Sequence, residues 1–270
     1  MGMNKTTKLP IFDCHFHIIN KGYPLEANDG YLPDEFSIND YYERLHGYTL
    51  KGGAVVSGSF QGFDQTYLLA ALKSLGSGFV GVTQLPATVS DEEILNLNDH
   101  GVRAVRFNLN RGGSAGVEDL VSMSTRIYDL VGWHVELYLG AESLSHLEDK
   151  ITALPKVCID HLGISDSNLE ILLNLIRDGL AIKATGFGRV DLNVEETIRK
   201  IHKVSPDALM FGTDLPSTRS RRVYSDKDYY TVLDILGENE AQKVFSQNAI
   251  NFYGLETPQT SKYHLEGNLA

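Results

Sequence analysis

The stretch Pro10-Ile11-Phe12-Asp13-Cys14-His15-Phe16-His17-Ile18-Ile19-Asn20 reads as a β-strand whose end carries two histidines. Its apolar residues favour an extended chain. The turn that follows has no glycine-rich loop of the kind that seats a phosphate in a doubly wound sheet. Seven further short apolar runs occupy 53–57, 79–85, 104–109, 134–139, 157–160, 180–184 and 208–212. Taken near 11, 53, 79, 104, 134, 157, 180 and 209, the strand starts are 42, 26, 25, 30, 23, 23 and 29 residues apart, close to one strand-plus-helix unit each. Helical spacing fills the gaps, as in Leu169, Leu172, Leu173 and Ile176, or Val194, Ile198, Ile201 and His202 after the cap candidate Asn193. Eight alternating units demand parallel pairing and predict a closed (β/α)8 barrel, a TIM barrel, in a single α/β domain covering 1–270 with tails at 1–9 and 257–270. An open doubly wound sheet is the alternative.

Composition narrows the partners. Twenty-four Lys+Arg against 35 Asp+Glu give a net charge of −11, which disfavours a nucleic-acid surface. Two cysteines, Cys14 and Cys158, are too few for a disulfide framework and favour a reducing compartment. No stretch reads as a signal peptide or a membrane span, so a cytoplasmic protein is expected, with no membrane partner and a homo-oligomer as the assembly to look for. The first gap is the longest, and Tyr23, Tyr31, Tyr41, Tyr42 and Tyr48 crowd into it. Residues 19–52 are expected to form a long loop, partly a lid, over one mouth of the barrel.

In such a barrel the chemistry sits at the C-terminal strand ends. Strand one ends in His15 and His17, which the period-two alternation sends to one face while Cys14 and Phe16 face the helices. Strand six ends Ile159-Asp160-His161, and strand eight Gly212-Thr213-Asp214. Thus His15, His17, His161 and Asp214, groups able to hold a metal or move a proton, converge on one mouth. His46, His100, His134, His146, His202 and His264 read as structural or solvated. Arginines form a second signal: Arg106 on strand four, Arg111 after it, Arg189 after strand seven, and Arg219, Arg221 and Arg222 after strand eight. A cationic mouth on an acidic protein suits a small anionic substrate. Arg106 shares parity with Ala104 and Asn108, which puts it inside, where an unpaired charge would be costly.

These residues resemble the amidohydrolase superfamily, through His15-Phe16-His17 and Phe211-Gly212-Thr213-Asp214. Within it the chain resembles the branch of 2-pyrone-4,6-dicarboxylate and sugar lactonases, through Gly101-Val102-Arg103-Ala104-Val105-Arg106-Phe107-Asn108, Ile159-Asp160-His161-Leu162-Gly163, Gly212-Thr213-Asp214-Leu215-Pro216 and the closing segment Asn248-Ala249-Ile250-Asn251-Phe252-Tyr253. The resemblance implies a hydrolase that opens a cyclic ester, with Asp214 activating water and His15, His17 and His161 around the carbonyl. It also implies that Arg106, Arg111, Arg189 and Tyr138 bind the substrate's carboxylates and ring. A metal is either not required or is one zinc ion held by His15, His17 and Asp214. Two-metal members carry a lysine on strand four, where this chain has Arg106. Metal-dependent decarboxylases of aromatic or muconate-type acids are the alternative, but they add histidines on the middle strands. This chain has Thr185-Gly186-Phe187-Gly188-Arg189 after strand seven, which favours hydrolysis.

Overall fold

The computed structural model describes residues 8–255, and nearly all of the expected tails, with His264, lie outside them. Eight strands follow one another in a single parallel sheet: β1 (Ile11–Phe16), β2 (Leu50–Val56), β3 (Phe79–Thr83), β4 (Val102–Asn108), β5 (His134–Tyr138), β6 (Val157–Ile159), β7 (Ala181–Ala184) and β8 (Leu209–Phe211). The chain forms a nearly closed barrel. At the seam the extension of β8 reaches β1, where Asp214 N–H donates to the His15 carbonyl and His17 N–H to the Leu215 carbonyl, both at 2.7 Å. The barrel therefore closes at the residues that carry its chemistry.

The helices are α1 (Ile38–Arg44), α2 (Thr66–Leu75), α3 (Asp91–Asp99), α4 (Leu120–Val131), α5 (Leu144–Thr152), α6 (Leu169–Arg177), α7 (Val194–Val204), α8 (Asp226–Gln242) and α9 (Asn248–Phe252). Several start where sequence provides a cap: the Asn193 side chain accepts from Glu196 N–H, and Ser90 from Glu93 N–H, so each satisfies a donor that the first turn leaves free. The apolar stripe of α6 puts Leu172, Leu173 and Ile176 against the sheet.

Two apolar layers result. The larger lies between strands and helices and includes Ile11, Phe16, Val55, Phe107, Leu137, Ile182 and Phe211. The smaller fills the barrel interior with Phe12, Cys14, Ala54, Val56, Val82, Ala104, Cys158, Ala181 and Met210, and Ala249, Ile250 and Tyr253 close its floor. Cys14 thus faces inward, against the expectation that it packs on the helix side. The pairing of β1 with β2 runs Asp13↔Gly53 and then Phe16↔Val55, one extra residue on β1. This bulge breaks the alternation, so Cys14 and His15 both point into the barrel while Phe16 stacks outside on Tyr41 with ring centroids 4.0 Å apart.

Segment 19–49 is a structured excursion. It holds α1, an antiparallel bridge between Ile19 and Phe36, and a second between Asn28 and Tyr31. Its tyrosines diverge: Tyr41 is buried under β1, Tyr48 hydrogen-bonds Tyr224 and Asp226, Tyr42 is exposed, and Tyr31 lines the mouth.

Candidate active site

Strand ends deliver the site. From β1 come His15 and His17, from the turn after β6 Asp160 and His161, and from the turn after β8 Asp214; all are buried. His161 and Asp214 have φ of +52° and +60°, a region non-glycine residues seldom occupy, so the backbone bends sharply to aim both inward. The Nε2 atoms of His15, His17 and His161 stand 3.9, 3.7 and 3.9 Å from Oδ1 of Asp214. Among the described residues neither that oxygen nor His15 Nε2 has a hydrogen-bond partner, leaving an open acceptor beside an imidazole nitrogen. The other Asp214 oxygen accepts from Nε and Nη2 of Arg189 at 2.8 and 2.5 Å. Burial pushes the Asp214 carboxyl up, but Arg189 and the three histidines outweigh it and hold the group far below the usual carboxylate range. Burial also keeps His161 neutral and lowers His15 to about 4.

Further down the barrel lies a charged cluster. Arg106 donates through Nε and Nη2 to Asp160 Oδ2 at 3.1 and 2.8 Å, and through Nη1 to the Ser57 carbonyl, which settles its inward charge. Lys183 on β7 donates to Glu136 Oε2 on β5 at 2.5 Å, and Tyr253 OH and His134 share Oε1 of that carboxylate. Desolvation disfavours the Lys183 ammonium, but Glu136 and Asp160 prevail and raise its pKa above the usual value. Sequence reading passed over Asp160, Glu136 and Lys183. Two signals were present, since Lys183 shares the parity of the inward Ala181, and Glu136 that of Tyr138.

Above the histidines opens a narrow cavity lined by His17, Tyr31, Arg106, Arg111, Tyr138, His161, Arg189 and Arg219, among others. Tyr138 meets His161 edge-on at 5.2 Å. Arg111 and Arg219 have no carboxylate partner among the described residues; Arg219 is held by the side-chain and backbone oxygens of Asn28 and lies 4.5 Å over the Tyr31 ring. Of the three arginines after strand eight, which could equally face solvent or the substrate, only Arg219 lines the mouth. Arg221 is exposed, and Arg222 turns to Asp228 at the start of α8, because the loop after Arg219 leaves the mouth.

Donor atoms of His15, His17 and Asp214, and of His15, Asp160 and His161, lie within 4.8 Å of one another. Imidazole nitrogens with a carboxylate oxygen fit one divalent ion in donor type, and His15 Nε2, Asp160 Oδ1 and Asp214 Oδ1 make no hydrogen bond among the described residues.

The fold and site define a barrel hydrolase, and the chain belongs to the amidohydrolase family, whose model matches residues 12–255. Among curated relatives it is 28% identical over 239 residues to a 2-pyrone-4,6-dicarboxylate hydrolase of Comamonas testosteroni, covering 77% of this chain and 78% of that one. It is 22% identical over 269 residues to a 4-sulfomuconolactone hydrolase of Rhizobium radiobacter, covering 90% of each. The crystal structure of a probable 2-pyrone-4,6-dicarboxylic acid hydrolase from Acinetobacter baumannii superposes with a TM-score of 0.79 at 22% identity, over 91% of this chain and 99% of that chain.

Proposed function

We propose that this protein hydrolyses a lactone bearing two acidic groups, of the pyrone or muconolactone kind. One observation carries the reading. In the barrel interior three cations, Arg106, Arg189 and Lys183, are matched by three carboxylates, Asp160, Asp214 and Glu136, whereas Arg111 and Arg219 at the mouth have no carboxylate partner among the described residues. Two uncompensated guanidinium groups above an open carboxylate suit a doubly anionic substrate. The two curated relatives, hydrolases of a pyrone dicarboxylate and a sulfomuconolactone, support it.

Arg111 and Arg219 would take the acidic groups and set the ring carbonyl against the imidazoles of His15, His17 and His161. Water attacks the carbonyl carbon while Asp214 Oδ1 accepts its proton; the C–O bond of the ring breaks, and the leaving oxygen takes a proton. Asp214 is a weak base while Arg189 grips it. A substrate carboxylate that draws Arg189 toward itself would loosen that grip, raising the basicity of Asp214 when substrate is in place. A divalent cation held by His15, His17 and Asp214 would supply Lewis acidity and a more acidic water.

No helix among the described residues is long and apolar enough to cross a membrane. Two buried free cysteines support a reducing, cytoplasmic location, and the curated relatives support a small-molecule substrate.

The test follows proton release at neutral pH in chelator-treated buffer, with 2-pyrone-4,6-dicarboxylate, a muconolactone and a neutral sugar lactone. Faster turnover of the acidic lactones is expected. Preference for the neutral lactone would overturn the role of the arginines, carbon dioxide release would favour decarboxylation, and activity only after zinc is restored would assign the histidines as ligands.

A further inference from the structure

An imidazole can donate from one ring nitrogen while it accepts at the other, so which nitrogen of His15 holds the proton decides what the site is offered. Its Nε2 lies on the side of Asp214, 3.9 Å from Oδ1. Its Nδ1 faces down the barrel between two groups at the same 3.3 Å, the Lys183 ammonium and Asp160 Oδ1. The contacts are unequal: Lys183 is in hydrogen-bonding geometry with Nδ1, whereas Asp160 Oδ1, at the same distance, makes no hydrogen bond of good geometry among the described residues. An ammonium has N–H donors and no acceptor, so toward Nδ1 it can only donate, and Nδ1 must present its lone pair. Lys183 is fully buried and anchored through Glu136, which Tyr253 and His134 hold from the floor of the barrel.

We propose that Lys183 is a positioning residue that fixes His15 as the Nε2–H tautomer, so that His15 gives the site a hydrogen-bond donor rather than a lone pair. A donor there meets the oxygen of a carbonyl under attack, where negative charge grows. Without Lys183, Nδ1 keeps the Asp160 carboxylate beside it, an acceptor, which would draw the proton to Nδ1 and leave Nε2 as a lone pair facing the reacting oxygen. Two charged groups thus compete for one ring nitrogen, and the lysine wins in the resting chain.

The kinetic part of the test rests on the lactonase reading; the spectroscopic part needs no substrate. In the chelator-treated, ¹⁵N-labelled full chain, two-bond nitrogen–carbon-proton correlation of the imidazoles, with His15 assigned by its loss in His15→Gln, reports which nitrogen bears the proton. A pyridine-type Nδ1 and a pyrrole-type Nε2 are expected, and the reverse overturns the proposal even if no lactone is turned over. In Lys183→Met the two signals should exchange character. With an accepted lactone, kcat should fall about 10²-fold while KM stays within about threefold, because the donor acts on charge that develops only in the transition state. An unchanged tautomer, or a change confined to KM, would overturn it. Glu136 loses its cationic partner in that variant, so the double variant Lys183→Met/Glu136→Gln is measured beside it, and the wild-type spectrum decides if neither folds.

Discussion

Asp214 shows how far one side chain's meaning depends on its neighbours. One oxygen is held by Arg189 and the other faces three imidazoles without a hydrogen bond, so the group is a buried carboxylate with one open acceptor. Asp214→Asn keeps the shape and removes that acceptor; turnover of the accepted lactone is expected to fall by about 10³-fold with binding retained, read from steady-state rates and calorimetric titration. Full activity in this variant would end the assignment. At the mouth, Arg111→Met and Arg219→Met should each raise KM for a doubly acidic lactone about tenfold or more and leave a neutral lactone unaffected. Equal effects on both lactones would show that the arginines shape the mouth and do not read charge. Asp214, His161 and the strand-one histidines were legible in the sequence because each ends a recognisable strand. The commitment of Arg106 to Asp160 was not, since the two residues are 54 positions apart and meet across the barrel.

The element on which the site depends most is the seam of β1 and β8. The extra residue in β1 turns His15 inward, and Gly212, just after β8, makes room for it: a Cβ at 212 would meet His15 N at 2.7 Å, Asp13 Oδ1 at 2.9 Å and the Thr185 methyl at 2.9 Å. Gly212→Ala is therefore expected to cost about 1–3 kcal/mol through overpacking, measured by urea unfolding. It should also depress turnover by shifting His15 and Asp214 together. A variant of native stability and rate would show that the seam yields more readily than its contacts imply. The eight strands were legible because apolar runs and their spacing are local signals. The bulge was not, because nothing in Asp13-Cys14-His15-Phe16 departs from ordinary alternation, and the direction of Cys14 was misread with it. The long first excursion was visible as a gap, but Tyr31, Tyr41, Tyr42 and Tyr48 go to four different environments, set by what each meets in the folded barrel.

For the whole molecule, the buried histidines govern the response to acid. Burial lowers His15 to about 4 and lowers His134 and His161 from their ordinary value of 6.5. The unfolded chain takes up a proton at each near pH 6.5 while the native chain does not, so their contribution to stability is present above that pH and lost as pH falls toward 4. Asp13 acts oppositely: burial raises it to about 6, so between 6 and 3.8 the native chain binds a proton the unfolded chain lacks. One group against three leaves a net loss, and Tm should fall as pH drops from 7 to 5. His134→Gln, remote from the cavity, should flatten part of that slope, and a Tm independent of pH over this range would refute the account. The sequence by itself determined the barrel and the strand ends that carry its chemistry, because periodicity and residue type act within a few positions of the chain. Only the tertiary structure decided the pairing of Arg189 with Asp214, of Arg106 with Asp160, and of Lys183 with Glu136 and His15. Which side chains meet across a barrel depends on the stagger of its strands and on a single bulge at its seam, and neither is written in any one segment.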